Sequence, residues 1–215
     1  MPLPKMLLLR HAPTVTATPK FLNLGKQAYE DTYEQMRSLV QGESFNDQIW
    51  LLEHPSVFTL GTAADNAHVL NPGDIPVIQT DRGGEVTFHG PGQLVIYLLL
   101  DIKQKKMGPK RLVANLQNLI QKILQHYSIE SSFIEGAPGV YVEEKKIASI
   151  GLRISKGRTY HGISLNVDMD LTPFSLINPC GYEGLEVTQI SHFDSNVTLK
   201  DVESVAMKEM QTLFS

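Results

Sequence analysis

Cys180 is the residue of this sequence whose type and setting best suit covalent chemistry. It is the only cysteine among 215 residues, and it lies between Pro179 and Gly181 in a stretch without hydrophobic periodicity. A lone cysteine is most often a small buried hydrophobic residue. A loop position between proline and glycine instead favours exposure of the sulfur to a cleft, as a nucleophile requires. The residues alone leave both interpretations open.

A nucleophilic cysteine needs a neighbour that favours the thiolate, because an ordinary thiol pKa of about 8.5 leaves only a few per cent ionised at neutral pH. Lys146 is one candidate, since it begins a strand-like run in which alternation puts Lys146, Ala148 and Ile150 on one face. A single lysine is nonetheless most often a solvated surface charge. The other candidates are histidines: His54, His89, His161 and His192.

The glycine-rich segment from Asp81 to Gln93, DRGGEVTFHGPGQ, is a second candidate for a site. Four of its thirteen residues are glycine, and it runs directly into seven apolar residues, 94 to 100. Such a segment is typical of a site wall attached to a core strand, with Arg82 and His89 as its polar side chains. It lacks the lysine and the spacing of a phosphate loop, and a strand-like run follows it where a dinucleotide-binding fold would have a helix.

Composition limits the function classes. Hydrophobic residues make up 42% and charged residues 20%, as in ordinary globular proteins. The net charge of −4 argues against non-specific binding to nucleic acid or to an anionic membrane, but it allows a local basic patch that docks an acidic partner. The single cysteine excludes an internal disulfide, and the scattered histidines predict no metal site. The apolar run at residues 7–9 is too short for a signal peptide or a membrane span, so we expect a cytoplasmic protein.

Periodicity predicts one domain over residues 1–215, with an α/β (α+β) fold in which helices flank a mixed sheet. Helices are predicted at residues 26–40, along the apolar stripe from 112 to 127, and from Thr198, where Asp201 completes a capping box. The turns at 143–145 and 155–158 predict that the last three strands form a meander. Strands are predicted at residues 6–9, 49–53, 57–60, 77–79, 94–100, 132–134, 139–142, 147–154 and 159–167.

Two other stretches are ambiguous. The segment from His161 to Asn166 mixes polar residues with β-formers. On the residues alone it is better explained as a half-exposed strand than as a backbone edge lining a pocket. Residues 170–195 lack periodicity, and a loop this long in a compact domain is typically functional.

Residues 82–93, RGGEVTFHGPGQ, resemble the signature of the lipoyl(octanoyl) transferases of lipoate biosynthesis. The resemblance covers roughly residues 25–195 and continues in the family's order through six other blocks. These blocks are EHP at 53–55, TLG at 59–61, GVYV at 139–142, KKIASIG at 145–151, HG with LN within 161–166, and INPCG at 177–181.

The resemblance implies the fold of the biotin and lipoate protein ligase catalytic domain. It also implies transfer of an octanoyl or lipoyl group from acyl carrier protein, an acidic protein, to a lysine of lipoyl domains. Such domains occur in 2-oxoacid dehydrogenase complexes and as the glycine-cleavage H protein. No cofactor or metal is implied, and we expect a monomer.

The family's functional residues map onto this sequence. By resemblance, Cys180 is the acyl-thioester cysteine and Lys146 is the lysine that lowers the pKa of that cysteine. The implied acyl-binding residues form three groups: Arg82, Gly83, Gly84, Glu85, Val86, Thr87, Phe88 and His89; Ser149, Ile150 and Gly151; and Gly162, Ile163 and Ser164.

Two alternatives remain open. An ATP-dependent lipoate or biotin ligase of the same fold would need an adenylate site and no cysteine. A non-catalytic module that binds acyl carrier or lipoyl domains would form stable complexes without a covalent adduct. A thioester donor is already activated, so the transferase reaction needs no ATP.

Overall fold

Residues 18–179 and 184–214 are described by the computed structural model of the protein. The predicted strand at 6–9 and Cys180 lie outside these residues. The described helices are α1 (Tyr29–Gln41), α2 (Pro109–His126) and α3 (Leu199–Phe214). The described strands are β1 (Lys20–Lys26), β2 (Gln48–Glu53), β3 (Val57–Leu60), β4 (Val77–Gln79), β5 (Val86–His89), β6 (Gln93–Leu99), β7 (Ser132–Ile134), β8 (Ala137–Val142), β9 (Lys145–Ser155) and β10 (Arg158–Asn166).

Seven of these strands form one mixed sheet in the order β1-β2-β6-β10-β9-β8-β7. Strands β1 and β2 are parallel and the other pairs are antiparallel. Strands β8, β9 and β10 are consecutive neighbours, which confirms the predicted meander. Strands β4, β3 and β5 form a separate sheet of three strands. The predicted α/β class with a mixed sheet flanked by helices is confirmed.

The central strands are covered on both faces, as the unbroken apolar run at 94–100 predicted. Alternate residues of β6 enter two different cores. Leu94, Ile96 and Leu98 pack with the apolar stripes of α2 and α3. The residues between them, Val95 and Tyr97, pack with Met36 and Val40 of α1 on the opposite face.

Two helix termini follow from local sequence. Pro109 is the first residue of α2, where its missing N–H costs nothing because that position has no intrahelical acceptor. Before α3, the backbone N–H and hydroxyl of Thr198 donate to the Asp201 carboxylate at 3.2 and 2.6 Å, and the Asp201 N–H donates to the Thr198 hydroxyl at 3.3 Å. These bonds confirm the predicted capping box.

Two strands were missed by the sequence patterns. Strand β1 occupies residues predicted to be irregular, and it forces α1 to begin at Tyr29 instead of residue 26. Its exposed and half-buried residues do not alternate, and pairing with β2 through a register shift stabilises it. Strand β5 lies inside the glycine-rich segment and pairs with β3 from Val57↔His89 to Leu60↔Val86.

Gly162 allows β10 and β6 to approach closely. A Cβ atom at this position would lie 2.1 Å from the carbonyl oxygen of Ile96. Any larger residue would therefore push apart two adjacent central strands.

Candidate active site

A cavity of about 530 Å³ lies against strands β9 and β10. The glycine-rich segment forms a wall beside these strands, and the Gly83 N–H donates to the Leu152 carbonyl oxygen of β9 at 3.0 Å. Pro109 and Val113, from the first turn of α2, and residues 136–138, before and within β8, also line it. The volume is in the range of small-molecule sites.

The structure brings the three predicted groups of acyl-binding residues together. Thirteen of these fourteen residues line the cavity, and so does Lys146. Phe88 does not. Its ring instead packs against Phe58 and Phe174, with ring centroids 5.4 and 5.5 Å away, in the core of the three-stranded sheet. The alternation of β5 explains this placement, since Thr87 and His89 line the cavity and the intervening Phe88 points to the other side.

Lys146 is a buried residue with 3% of its surface exposed. The interpretation of this lysine as a solvated surface charge is therefore wrong. Its ammonium group donates to the Pro138 carbonyl oxygen at 3.1 Å and lies 5.6 Å from the centre of the Tyr141 ring. Gly139 makes room for it, because a Cβ at that position would lie 2.6 Å from Lys146 Cε.

A bulge changes the side-chain alternation of β9. Tyr141 pairs with Lys146, but the preceding residue, Val140, pairs with Ala148, so Ile147 is an extra residue on β9. Lys146 and Ile150 line the cavity, and Ala148 belongs to the main core, against which Ile150 also packs. Ala148 and Ile150 pair with Leu165 and Ile163 of that core, so these two residues share a face as predicted. The prediction that Lys146 lies on the same face was wrong, because the bulge separates it from them and the pattern contains no signal for a bulge.

The chain that follows Cys180 returns to Lys146. The Lys146 N–H donates to the Glu186 carbonyl oxygen at 2.9 Å, and the Thr188 N–H donates to the Lys146 carbonyl oxygen at 3.0 Å. Glu186 lies six positions after Cys180 in the sequence. Before the undescribed residues, the Asn178 N–H donates to the His68 carbonyl oxygen at 2.8 Å. Both flanks of Cys180 are thus held by backbone hydrogen bonds.

Arg82 holds the glycine-rich segment in place. Only 8% of its surface is exposed, and its guanidinium donates to the Thr59 carbonyl oxygen at 2.7 Å and to the Thr59 hydroxyl at 2.9 Å. It also donates to the Gly83 carbonyl oxygen at 3.1 Å. A forked guanidinium suits this task because it presents several donors in fixed directions. Arg82 therefore links the segment to β3.

The cavity has a polar end that the sequence patterns predicted only in part, through His89. Tyr29, His89, Tyr97 and His161 line it there, and His54 contacts both tyrosines. His161 pairs with Leu152, six positions along β9 from Lys146, so about 20 Å of strand separates the two ends. Of the candidate histidines, His161 thus lies far from Lys146, and His54 and His192 do not line the cavity. The sequence pattern placed Tyr29 on the apolar face of the first predicted helix. That pattern predicted that Tyr29 is buried but did not predict that it lines a site.

The three buried histidines are neutral at pH 7. Burial lowers the pKa of His54 to about 4, and its hydrogen bond to the Gln27 carbonyl oxygen only partly offsets this. Burial, together with the charge of His54, lowers the pKa of His89 to about 3. Burial also lowers the pKa of His161, despite the hydrogen bond to Asp81.

His161 is held in a constrained position. Its φ angle of 61° is in the left-handed region, which is uncommon for a residue other than glycine. Its Nε2 lies 3.3 Å from an Asp81 carboxylate oxygen, and Tyr160 donates to the other oxygen. Burial would raise the pKa of Asp81, but hydrogen bonds from His161, Tyr160 and Tyr33 outweigh it and hold that pKa well below its usual range. Asp81 thus accepts the Nε2 proton, and Nδ1 has no hydrogen-bond partner among the described residues. The residues 161–166 predicted to be a half-exposed strand are all buried.

Because these three histidines are neutral in the folded protein, we expect the free energy of unfolding to fall steeply in mild acid. The unfolded chain protonates histidine near its ordinary pKa of about 6.5, while the folded chain keeps its three buried histidines neutral to lower pH. Stability is therefore greatest above that pH and falls as the pH falls below it. Below a pH of about 6.5, the free energy of unfolding should drop by about 1.4 kcal/mol per pH unit each for His54 and His89, and His161 adds to the fall in the same direction. Urea unfolding at pH 7, 6 and 5 measures this slope.

His126 provides the control, because it is exposed at the end of α2. His54→Gln should reduce the slope of the unfolding free energy against pH by about 1.4 kcal/mol per pH unit, which corresponds to one proton. His126→Gln should leave that slope unchanged. A free energy of unfolding that stays constant between pH 7 and 5 would contradict the neutral state of these histidines.

Comparison with known proteins fits this geometry. Residues 28–211 match the model of the family described as the lipoyl protein ligase A/B catalytic domain. A curated octanoyltransferase from Legionella pneumophila is 50% identical over 194 residues, which cover 89% of this chain and 98% of the relative. Lipoate-protein ligase A bound with ATP has a TM-score of 0.75 at 13% identity, with 92% of this chain and 85% of that chain covered. Biotin protein ligase from Aquifex aeolicus has a TM-score of 0.57 at 15% identity, with 91% and 70% covered.

The chain belongs to the lipoyl protein ligase A/B catalytic domain family. Within this family, curated octanoyltransferases are about 50% identical to the chain over most of its length. The chain is therefore a transferase enzyme of the octanoyltransferase kind. The ligase structures are evidence for the fold alone, because their identity to this chain is low. In the described residues, no helix is both long enough and apolar enough to cross a membrane.

Proposed function

We propose that the enzyme transfers an octanoyl or lipoyl group from acyl carrier protein to a lysine of lipoyl domains, through a thioester on Cys180. The acceptors are the lipoyl domains of 2-oxoacid dehydrogenase complexes and the glycine-cleavage H protein, and the reaction takes place in the cytoplasm. The observation that carries the proposal is the buried ammonium group of Lys146 at one end of a cavity walled by β9, β10 and the glycine-rich segment.

The cavity suits a linear acyl tail. Ile150, Leu152 and Ile163 supply apolar surface along its walls. Moving a methylene group from water into such surroundings contributes about 0.8 kcal/mol. The tail thus provides binding energy, while the reacting carbonyl group remains at the Lys146 end. The thirteen predicted residues that line the cavity are proposed to contact the acyl group, and Phe88 supports their position from behind β5.

The first half-reaction moves the acyl group to the enzyme. The Cys180 thiolate attacks the carbonyl carbon of the donor thioester, a new carbon–sulfur bond forms, and the carrier's thiolate leaves. Lys146, as an ammonium, favours the Cys180 thiolate and supplies the proton that the leaving thiolate takes up. One thioester replaces another, so the step needs no other source of energy. The hydrogen bonds that join Lys146 to residues 186 and 188 support the proximity of Cys180 to this group.

The second half-reaction moves the acyl group to the acceptor. An ordinary lysine has a pKa of about 10.4, so the acceptor amine arrives mostly protonated. Lys146 has given up its proton in the first step and can accept one from the acceptor, which frees the amine to attack the Cys180 thioester. An amide bond forms and the carbon–sulfur bond breaks. The attacking nitrogen loses its second proton to solvent, and Cys180 returns as a thiolate beside the Lys146 ammonium.

Intact-mass measurement after incubation with octanoyl-acyl carrier protein tests the proposal. We expect an octanoyl adduct that hydroxylamine removes and that Cys180→Ser does not form. Addition of a lipoyl domain should discharge the adduct and acylate that domain. Absence of the adduct from the folded enzyme would overturn the proposed mechanism.

The same experiment separates the two alternatives. An ATP-dependent ligase would acylate the lipoyl domain from free octanoate and ATP, and Cys180→Ser would keep that activity. A binding module would hold the carrier or the lipoyl domain without any mass change. Either result would replace the transferase mechanism.

A further inference from the structure

Basic residues are concentrated beside the cavity. Six of the chain's 19 basic residues and none of its 23 acidic residues lie between Ile102 and Ile129. Five of the six fall within residues 103–111, which we call the basic segment. A positive stretch of this kind is unusual in a chain with a net charge of −4. Charge segregation on a surface attracts a partner of opposite sign.

Most of the basic segment is exposed and unneutralised. Lys105 forms an ion pair with Asp47 at 2.8 Å. Lys103, Lys106, Lys110 and Arg111 are exposed, and within residues 18–179 and 184–214 none of them is in an ion pair. A solvated helix face would explain exposed charge, but it would not explain the absence of acidic residues over 28 positions, since such faces usually mix both signs.

The basic segment adjoins the entrance of the proposed acyl site. Pro109 and Val113, at the start of α2, line the cavity. Lys110 and Arg111 lie between them in the sequence. At about 3.6 residues per turn, Lys110 lies about 100° around the helix from Pro109 and Arg111 lies about 200° from it. A partner that contacts both charges is therefore within about one helix diameter, 10–12 Å, of the cavity wall.

An apolar groove continues from the same place. It has a volume of about 430 Å³ and shares Val113 and residues 136–138 with the cavity. Phe133 and Ile134 of the edge strand β7 line it, and they are 41% and 44% exposed. Large apolar residues exposed beside a charged rim are typical of protein interfaces, in which an apolar centre is surrounded by polar groups.

We propose that the basic segment, with this groove, docks an acidic surface of the acyl carrier protein that delivers the acyl thioester. The inference rests on the proposed function, since it names where that donor binds. An acidic carrier matches the sign of the surface, and a donor docked there presents its thioester at the cavity. Long-range attraction between the two proteins raises their association rate, and salt screens it over about 8 Å at physiological ionic strength.

Charge reversal with two kinds of donor tests the docking surface. Lys110→Glu/Arg111→Glu should slow formation of the Cys180 adduct from octanoyl-acyl carrier protein by about 10-fold or more. It should not slow adduct formation from octanoyl-N-acetylcysteamine, a small thioester without a protein or a charge. The rate with the carrier should fall with rising salt in the unmodified enzyme and much less in the variant. Lys200→Glu/Lys208→Glu, two exposed lysines of α3, makes the same change in net charge and should affect neither donor.

Each other outcome has a definite meaning. Equal slowing with both donors, or in both double variants, would overturn the proposed surface, and so would unchanged rates with the carrier. An effect confined to the KM of the lipoyl domain would assign the segment to the acceptor and also overturn it. Failure of the unmodified enzyme to form an adduct with either donor would instead overturn the proposed function.

Discussion

Lys146→Ala is expected to lower turnover by about 100-fold or more and to raise the pH at which Cys180 is alkylated. The magnitude is that of removing a general acid–base group. The thiolate loses the ammonium that favours it, so alkylation by iodoacetamide should require a higher pH. Acylation rates and the pH profile of alkylation, measured on the same preparation, test both effects.

Lys145→Ala is the matched control. Lys145 is the adjacent residue, but its side chain is 46% exposed and pairs with Glu186 at 3.0 Å. Exposed pairs contribute little, so its loss should change neither measurement by more than about two-fold. An alkylation profile that is the same in Lys146→Ala and in the unmodified enzyme would contradict the role of Lys146 in forming the thiolate.

Gly139→Ala is expected to disable the enzyme without a change in any reacting group. Its φ angle of 152° is strained for other residues, and its Cβ would lie 2.6 Å from both the Ala148 carbonyl oxygen and Lys146 Cε. Either β8 moves away from β9 or the lysine leaves its position. We expect a loss of about 2–3 kcal/mol in the free energy of unfolding and a loss of turnover approaching that of Lys146→Ala. Urea unfolding and acylation kinetics measure the two effects.

Gly108→Ala is the control for this substitution, because its Cβ would meet nothing within 4 Å and its φ is ordinary. It should be close to neutral for both stability and turnover. If Gly139→Ala kept normal turnover, the space that this glycine leaves for Lys146 would have no functional consequence.

The sequence predicts elements well where local signals and burial agree. The stripe of α2, the capping box of α3 and the meander each follow from short-range patterns, and all three are present. Strand β1 has no such pattern and depends on pairing with β2, which is distant in the sequence. Strand β5 was hidden because glycines flank it, although its residues 86–88 are β-formers or apolar.

The residues of the candidate site likewise include some that the sequence predicts and some that it does not. Motifs that line one wall of the cavity were found together, because each is a continuous block in the sequence. Of the polar end, only His89 was predicted to line the site, since Tyr29, Tyr97 and His161 come from α1, β6 and β10 and meet only in the fold. The burial of Lys146 was also missed, because it results from a bulge and from Gly139 on the neighbouring strand.

The polar end of the cavity has a consequence for tail length. The Nδ1 atom of His161 has no hydrogen-bond partner in the described part of the chain, and burial raises the pKa of the neighbouring Tyr29 to about 12, so it stays a neutral phenol. The Nδ1 atom is already shielded from solvent, so the folded protein bears the cost of about 1–3 kcal/mol for an unsatisfied buried polar atom without any ligand. Methylene groups offer no hydrogen-bond partner to Nδ1, whereas they gain about 0.8 kcal/mol each against the apolar walls. We therefore expect the binding energy of an acyl tail to stop rising with length where the tail reaches these polar side chains.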